Sequence, residues 1–286
     1  MKFIDYFSPE KEIIKEKFNT IPYMDVWISS IVEGYIYENV SLTDTGIREE
    51  YIERYRKIEG EYKSWYPNGQ LYAQCYYKEG KIEGEYIWWH ENGQIEIQCY
   101  FKEGKEEGEY KKWYSTGQLK IQCYFKEGKK EGEFKKWYPN GKLDCQRYYK
   151  EGKEEGEFKQ FYLNGKIFEK GYYKDGKFDG EYKGWNYIVE QSNNEQQLCR
   201  DLFYKEGKRE GKNKEWYDNG QLRLEEHYKE GKLDGEYKEW HHNGKLELQC
   251  YYKEGKREGE YKVWNEQGTL LFHKIYTGEV IKDCLS

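Results

Sequence analysis

Beyond residue 60 the chain alternates apolar and polar positions with a period of two. Every second residue is apolar in Leu71, Ala73, Cys75, Tyr77, again in Ile95, Ile97, Cys99, Phe101, and again in Leu119, Ile121, Cys123, Phe125. The residues between them are mostly Gln, Glu, Lys or Tyr. Successive side chains of a strand point to opposite faces, so this alternation predicts half-buried strands with one apolar face. Turn signals bound each run. Asn-Gly recurs at Asn68-Gly69, Asn92-Gly93, Asn140-Gly141, Asn164-Gly165, Asn219-Gly220 and Asn243-Gly244. Both central residues of a type I′ turn need φ > 0, which Asn and Gly tolerate, so the dipeptide predicts two-residue hairpins. Glu-Gly or Asp-Gly supplies the second turn, as at Glu79-Gly80, Glu103-Gly104 and Asp175-Gly176.

These signals repeat at a fixed interval. A register glycine falls at Gly60, Gly84, Gly108, Gly132, Gly156, Gly180, Gly211, Gly235 and Gly259, with gaps of 24 residues except one of 31. Residues 60–268 therefore hold nine tandem hairpin repeats, the last incomplete, with an insertion in the polar stretch 186–197 where a longer loop is tolerated. The predicted fold is all-β: an elongated, twisted antiparallel β-meander. Each hairpin advances two strand spacings, ~9.5 Å, so nine predict a ribbon of roughly 85 Å before twist and bending shorten it. With two-residue turns, Tyr86 sits across from Cys99 and His90 across from Ile95, which adds a Tyr column to the apolar face. The tryptophans (Trp65, Trp89, Trp113, Trp137, Trp185, Trp216, Trp240, Trp264) then fall on the opposite face, beside a Lys column and a second ring column of Tyr76, Tyr100 and Tyr124.

The ends differ. Ser8-Pro9 followed by Ile13, Ile14 and Phe18 predicts a short helix within an N-terminal segment, residues 1–33, and residues 21–33 read equally as helix or strand. Residues 34–59 read as a degenerate capping repeat with Thr45-Gly46 in place of Asn-Gly, and residues 269–286 as the C-terminal cap, since terminal repeats have one neighbour only.

Composition narrows the functional classes. Among 286 residues, 48 Lys+Arg stand against 54 Asp+Glu, a net charge of −6 with both signs interspersed, which speaks against a nucleic-acid partner. Hydrophobic residues make up only 36%, yet 19% of the chain is aromatic, so burial must come from amphipathic rings. No apolar run reaches the length of a membrane span, and Met1-Lys2-Phe3-Ile4-Asp5 lacks a signal peptide's apolar stretch, so an intracellular, cytoplasmic location is expected. Seven cysteines without a C-x-x-C pair fit neither a disulfide framework nor a zinc ribbon. Cys75, Cys99 and Cys123 share one column about 9.5 Å apart, beyond disulfide reach, and are expected to be reduced packing residues.

Catalytic and metal chemistry finds no foothold. Carboxylates recur once per repeat, in columns such as Glu61, Glu85, Glu109 and Glu133, whereas a catalytic dyad needs one asymmetric pocket. His241 and His242 are adjacent and point to opposite faces of a strand. The Gly-x-x-Gly spacings open strands rather than helices, so no phosphate-cradling loop is expected. We expect no enzyme, no cofactor, no metal and no small-molecule substrate. The candidate partner-binding face comprises Trp65, Trp89, Trp113, Trp137, Trp216 and Trp240 with Lys111, Lys135, Lys159 and Lys238. The competing role for these columns is stacking between neighbouring hairpins, with each ammonium meeting a Glu of the next strand.

The unit Gly-x-Tyr-x-x-Trp-Tyr-x-Asn-Gly-x-Leu, followed by Tyr-x-Lys-x-Gly-Lys-x-x-Gly, resembles the MORN repeat in its 24-residue variant form, seen also in YwqK-type antitoxin proteins of bacteria and in giant-virus repeat proteins. The resemblance covers residues 60–277. It implies a non-catalytic β-hairpin scaffold that binds a protein partner or forms a homodimer. It also implies two alternatives, antitoxin-like neutralisation of a partner toxin and association with acidic lipid at a membrane surface. The Glu columns that offset the Lys ladder disfavour the last.

Overall fold

The computed structural model describes residues 35–37, 42–43, 46–47, 55–57, 59–187, 196–277 and 280–283, with side chains over 59–186 and 196–277. The predicted N-terminal helix lies outside the described residues. The described residues are all-β and form two compact units, one of those up to residue 117 together with 125–128, the other of 118–124 together with those from 129 onward. In each, consecutive strands pair antiparallel as an open meander.

The first unit runs through Gly60–Trp65, Leu71–Lys78, Lys81–Ile82, Gly84–Trp89, Ile95–Lys102, Lys105–Glu106 and Gly108–Trp113. Before it, Tyr35–Tyr37 pairs with Tyr55–Lys57, and Leu42–Thr43 with Gly46–Ile47. The second unit carries the longer array, including Lys129–Trp137, Leu143–Lys150, Gly156–Phe161, Ile167–Lys174, Lys177–Tyr187, Gln196–Lys205 and Gly211–Trp216. It continues to Leu270–Thr277 and Val280–Asp283.

The type I′ geometry expected at Asn-Gly is found at Glu-Gly instead. Gly93 N–H donates to His90 O at 2.9 Å and His90 N–H to Gln94 O at 2.8 Å, so the loop is Glu91-Asn92-Gly93 with only the glycine at positive φ (82°). This is a three-residue loop, a type I turn ending in a bulged glycine. Asparagine is chosen here for its side chain. Asn92 Oδ1 accepts the Gln94 N–H (3.1 Å), and Asn92 Nδ2 donates to Ser115 O of the next repeat (2.7 Å). The type I′ turn belongs to Glu-Gly, where Glu103 and Gly104 both have positive φ, 51° and 77°. A left-handed glutamate costs roughly 1 kcal/mol or more. Its N–H donates to Glu83 Oε2 at 2.7 Å, a charge-assisted bond that recurs at Glu79, Glu127, Glu151 and Glu230.

The three-residue loop also shifts the pairing. Tyr86 faces Cys99 as expected, but Ile95 pairs with Trp89 rather than His90, through a bulge between Trp88 and Trp89. Leu71 and Ile95 therefore stand opposite their tryptophans, and the following residue turns toward the cysteine side, where Tyr72 meets Trp88 edge-on at 5.0 Å. We name the two sides of the sheet the thiol face and the tryptophan face. Cys75, Cys99, Cys123, Cys145, Cys199 and Cys250 are all buried and unbridged. Burial pushes the Cys75 and Cys250 thiols up to about 11, which keeps them protonated and unreactive at neutral pH.

Candidate interaction surface

The tryptophan face carries the residues singled out from sequence. Trp89, Trp113, Trp137, Trp216 and Trp240 are half-buried, and Trp65 alone among them is exposed. Their main chain ties repeats together. Tyr66 Oη donates to Trp89 O at 2.7 Å, Tyr138 to Phe161 O at 2.7 Å, Tyr162 to Trp185 O at 2.7 Å and Tyr217 to Trp240 O at 2.8 Å. His90 and His241 take the tyrosine's place with Nε2 on Trp113 O (3.1 Å) and Trp264 O (2.9 Å). A carbonyl only accepts, so these rings carry their proton on Nε2.

The Lys column is not a free positive ladder. Lys111, Lys135, Lys159 and Lys238 are half-buried, each within 2.7 to 2.8 Å of the glutamate two residues earlier on its own strand: Glu109, Glu133, Glu157 and Glu236. Residues i and i+2 of a strand share a face, so the partner is the strand's own carboxylate rather than that of the next strand. The Lys135 ammonium holds the Glu133 carboxyl below the usual carboxylate range, helped by Gln146. Such surface pairs contribute roughly 0–1 kcal/mol each, and they cancel the charge a partner would see.

Between these pairs stands the column that the sequence reading recognised but did not choose. Tyr76, Tyr100, Tyr124, Tyr148, Tyr172, Phe203 and Tyr251 are 40–49% exposed, at one position of the second strands that His227 also occupies. Gln146 donates to both Glu133 and the Tyr148 hydroxyl, so at least one of these rings is held by the same polar network. The signal was present in the repeat, since a ring at this slot faces away from the thiol column. Among the described residues no helix is long and apolar enough to cross a membrane, and no cluster of metal-binding side chains stands at coordinating distance.

No curated protein matches this chain. A solved structure, "Crystal Structure of TcdB2-TccC3-Cdc42", is similar at 12% identity over 79% of this chain, with a TM-score of 0.19. This chain spans 15% of that one. The model of the MORN repeat variant matches residues 58–79, 82–103, 106–127, 130–151, 154–175, 209–230 and 233–254, in the register set by the Gly, Trp and Asn-Gly positions described above. Those seven windows cover more than half the sequence, and the chain belongs to the MORN repeat variant family.

Proposed function

We propose that the protein is a non-catalytic scaffold whose tryptophan face binds another protein, or a second copy of itself. One observation carries this reading: in each unit a column of rings, 40–49% exposed, recurs at the same repeat position between paired charges. Isolated exposed rings are ordinary on a protein surface, whereas a regular row of them marks a contact surface. Tyrosine suits this role, offering broad apolar area, a polar tip and little side-chain entropy to lose. A row of equivalent weak contacts also adds up through multivalency. The Lys–Glu pairing favours a protein over an acidic lipid surface, because each ammonium is already neutralised.

Crosslinking with mass spectrometry, and light scattering of the purified chain, should identify a stoichiometric protein partner or a dimer contacting this column. Tyr124→Ser, Tyr148→Ser and Tyr172→Ser combined should weaken that association at least tenfold without unfolding the chain. A monomer that captures nothing, or an association indifferent to the triple variant, refutes the reading.

A further inference from the structure

In the second unit the thiol face departs from the repeat at several positions, and some of these departures fall side by side. The slot held by Trp88 in the first unit is glycine at Gly184. The slot of Ile97 is Arg200, and that of Cys99 is Gly171 in one repeat and Leu202 in the next. These departures converge. Gly184 pairs directly with Glu169 on one side and with Arg200 on the other, and Arg200 pairs in turn with Glu215. Glu169 and Arg200 thus stand two strand spacings apart, ~9.5 Å, with no side chain rising between them. The gap opens into a cavity of about 290 Å³ whose rings and aliphatic wall are Phe178, Tyr182, Leu202 and Tyr204, and whose charged lining is Glu169, Arg200, Arg209 and Glu215.

Its apolar wall is firm. Phe178 lies tilted against Tyr204 at 5.1 Å and edge-on to Tyr182 at 5.7 Å, and Tyr182 and Leu202 are buried. Its charges are mostly committed. Tyr182 Oη donates to Glu169 Oε2 at 2.5 Å; Glu215 is paired with Arg223, and Arg209 Nη1 donates to Glu226 Oε2 at 2.9 Å. Arg200 differs. It is exposed, it feels Tyr182 and the Glu215 carboxylate across the strand pair, and it makes no ion pair with any described carboxylate. A guanidinium beside a ring-lined recess, in no ion pair of its own, can receive a carboxylate in bidentate geometry.

We propose that this cavity is the anchor site of the scaffold, taking from a protein partner an aromatic or aliphatic side chain that adjoins a carboxylate, the apolar part against Phe178 and Tyr204 and the carboxylate on Arg200. The inference rests on the scaffold reading above and adds the chemistry of the anchor. The size agrees, since a recess near 300 Å³ is at the small end of ligand sites and suits one side chain better than a large ligand. Gly184 is the permissive residue. A Cβ there would meet Arg200 Cβ and Cys199 Sγ at 3.7 Å, ordinary contact, but a longer side chain would stand in the gap.

The test uses the full chain and 3-phenylpropionate as probe, followed by backbone and arginine Nε–H NMR shifts. Saturable shifts at Gly184, Arg200 and Leu202 are expected, at least tenfold weaker for the neutral 3-phenylpropanamide. They should vanish in Arg200→Gln and in Gly184→Leu and persist in Lys262→Gln, a distant control. Shifts scattered over the sheet, equal for acid and amide, or undiminished in folded Arg200→Gln overturn the proposal. Failure of the scaffold reading shows separately, as a chain that captures no partner. A partner held equally well by Arg200→Gln and wild type sinks the anchor alone.

Discussion

The thiol faces of the two units use the same backbone for opposite chemistries. In the first unit Cys75 and Tyr77 pack with Tyr62, Ile82 and Tyr86, and Tyr86 meets Phe101 edge-on at 5.6 Å. In the second unit the cysteine slot holds Arg147 and Glu226 and the Ile97 slot Glu169 and Arg200 in some repeats, and apolar burial gathers into one aromatic knot of Phe158, Tyr182 and Leu202 with Tyr173, Phe178 and Tyr204. The charges there are answered locally, Arg147 by Glu154 and Arg209 by Glu226. Even the Tyr slot is altered, with Asn213 only 1% exposed and its Oδ1 accepting the Phe203 N–H at 2.7 Å. The difference separates what the repeat must keep from what it can exchange. Turns, glycines and inter-repeat carbonyl bonds are constant, whereas a thiol-face column tolerates charge wherever a neighbouring column supplies the counter-charge.

That division predicts unequal costs. Phe158, 3% exposed, touches Tyr173, Phe178 and Tyr182, so Phe158→Ala should destabilise the chain by about 3–5 kcal/mol. Cys99→Ala in the first unit, removing one sulfur from a buried slot, should cost only about 1 kcal/mol. Urea unfolding, with hydrogen exchange to locate the loss, checks both, and equal losses would erase the contrast between a concentrated and a distributed core. Gly171→Ala sharpens it at a smaller scale. A Cβ there would lie 2.8 Å from Phe158 Cε1 and 3.1 Å from Glu181 O, so overpacking should cost about 1–3 kcal/mol. The same test at Gly108, whose missing Cβ faces open space but whose φ is 84°, would probe backbone strain alone.

Much of the contrast was legible in the letters. The 24-residue period and the alternation of Leu71 through Tyr77 are local signals, and they suffice for strands, hairpins and the division of faces. The turn types were not legible, because Asn-Gly satisfies both a type I′ turn and a type I turn with a bulged glycine. What decides between them is Asn92 Nδ2 reaching Ser115 O in the next repeat, a contact that no single hairpin contains. The one-residue shift of Ile95 followed from that decision. The Trp and Lys columns were assigned to the correct face, but exposure was not predictable from residue type. The tryptophans are half-covered by neighbours, and the smaller tyrosines at Tyr100 and Tyr148 stand clear. The cavity beside Arg200 required register, since Glu169, Gly184 and Arg200 are far apart in sequence and adjacent only across strands.

The smallest expected effect is electrostatic and separates the faces by pH. Glu226 occupies the slot that is Cys75 or Cys99 in the first unit, and it is 6% exposed. Burial pushes its carboxyl above the ordinary value of 4.5, even with Arg209 alongside. A carboxyl raised on folding contributes stability that is fully present below its unfolded value and is lost as pH rises through the folded one. As pH rises above about 4.5 the wild-type chain should therefore lose stability through this residue. Glu226→Gln keeps an acceptor for the Arg209 N–H and removes the titration. Urea midpoints for the variant should match wild type near pH 4 and exceed it at pH 7. A reversed order, with the variant weaker at pH 7, would show that the ion pair with Arg209 outweighs the burial penalty, and that charge on the second unit's thiol face stabilises the sheet rather than being merely accommodated there.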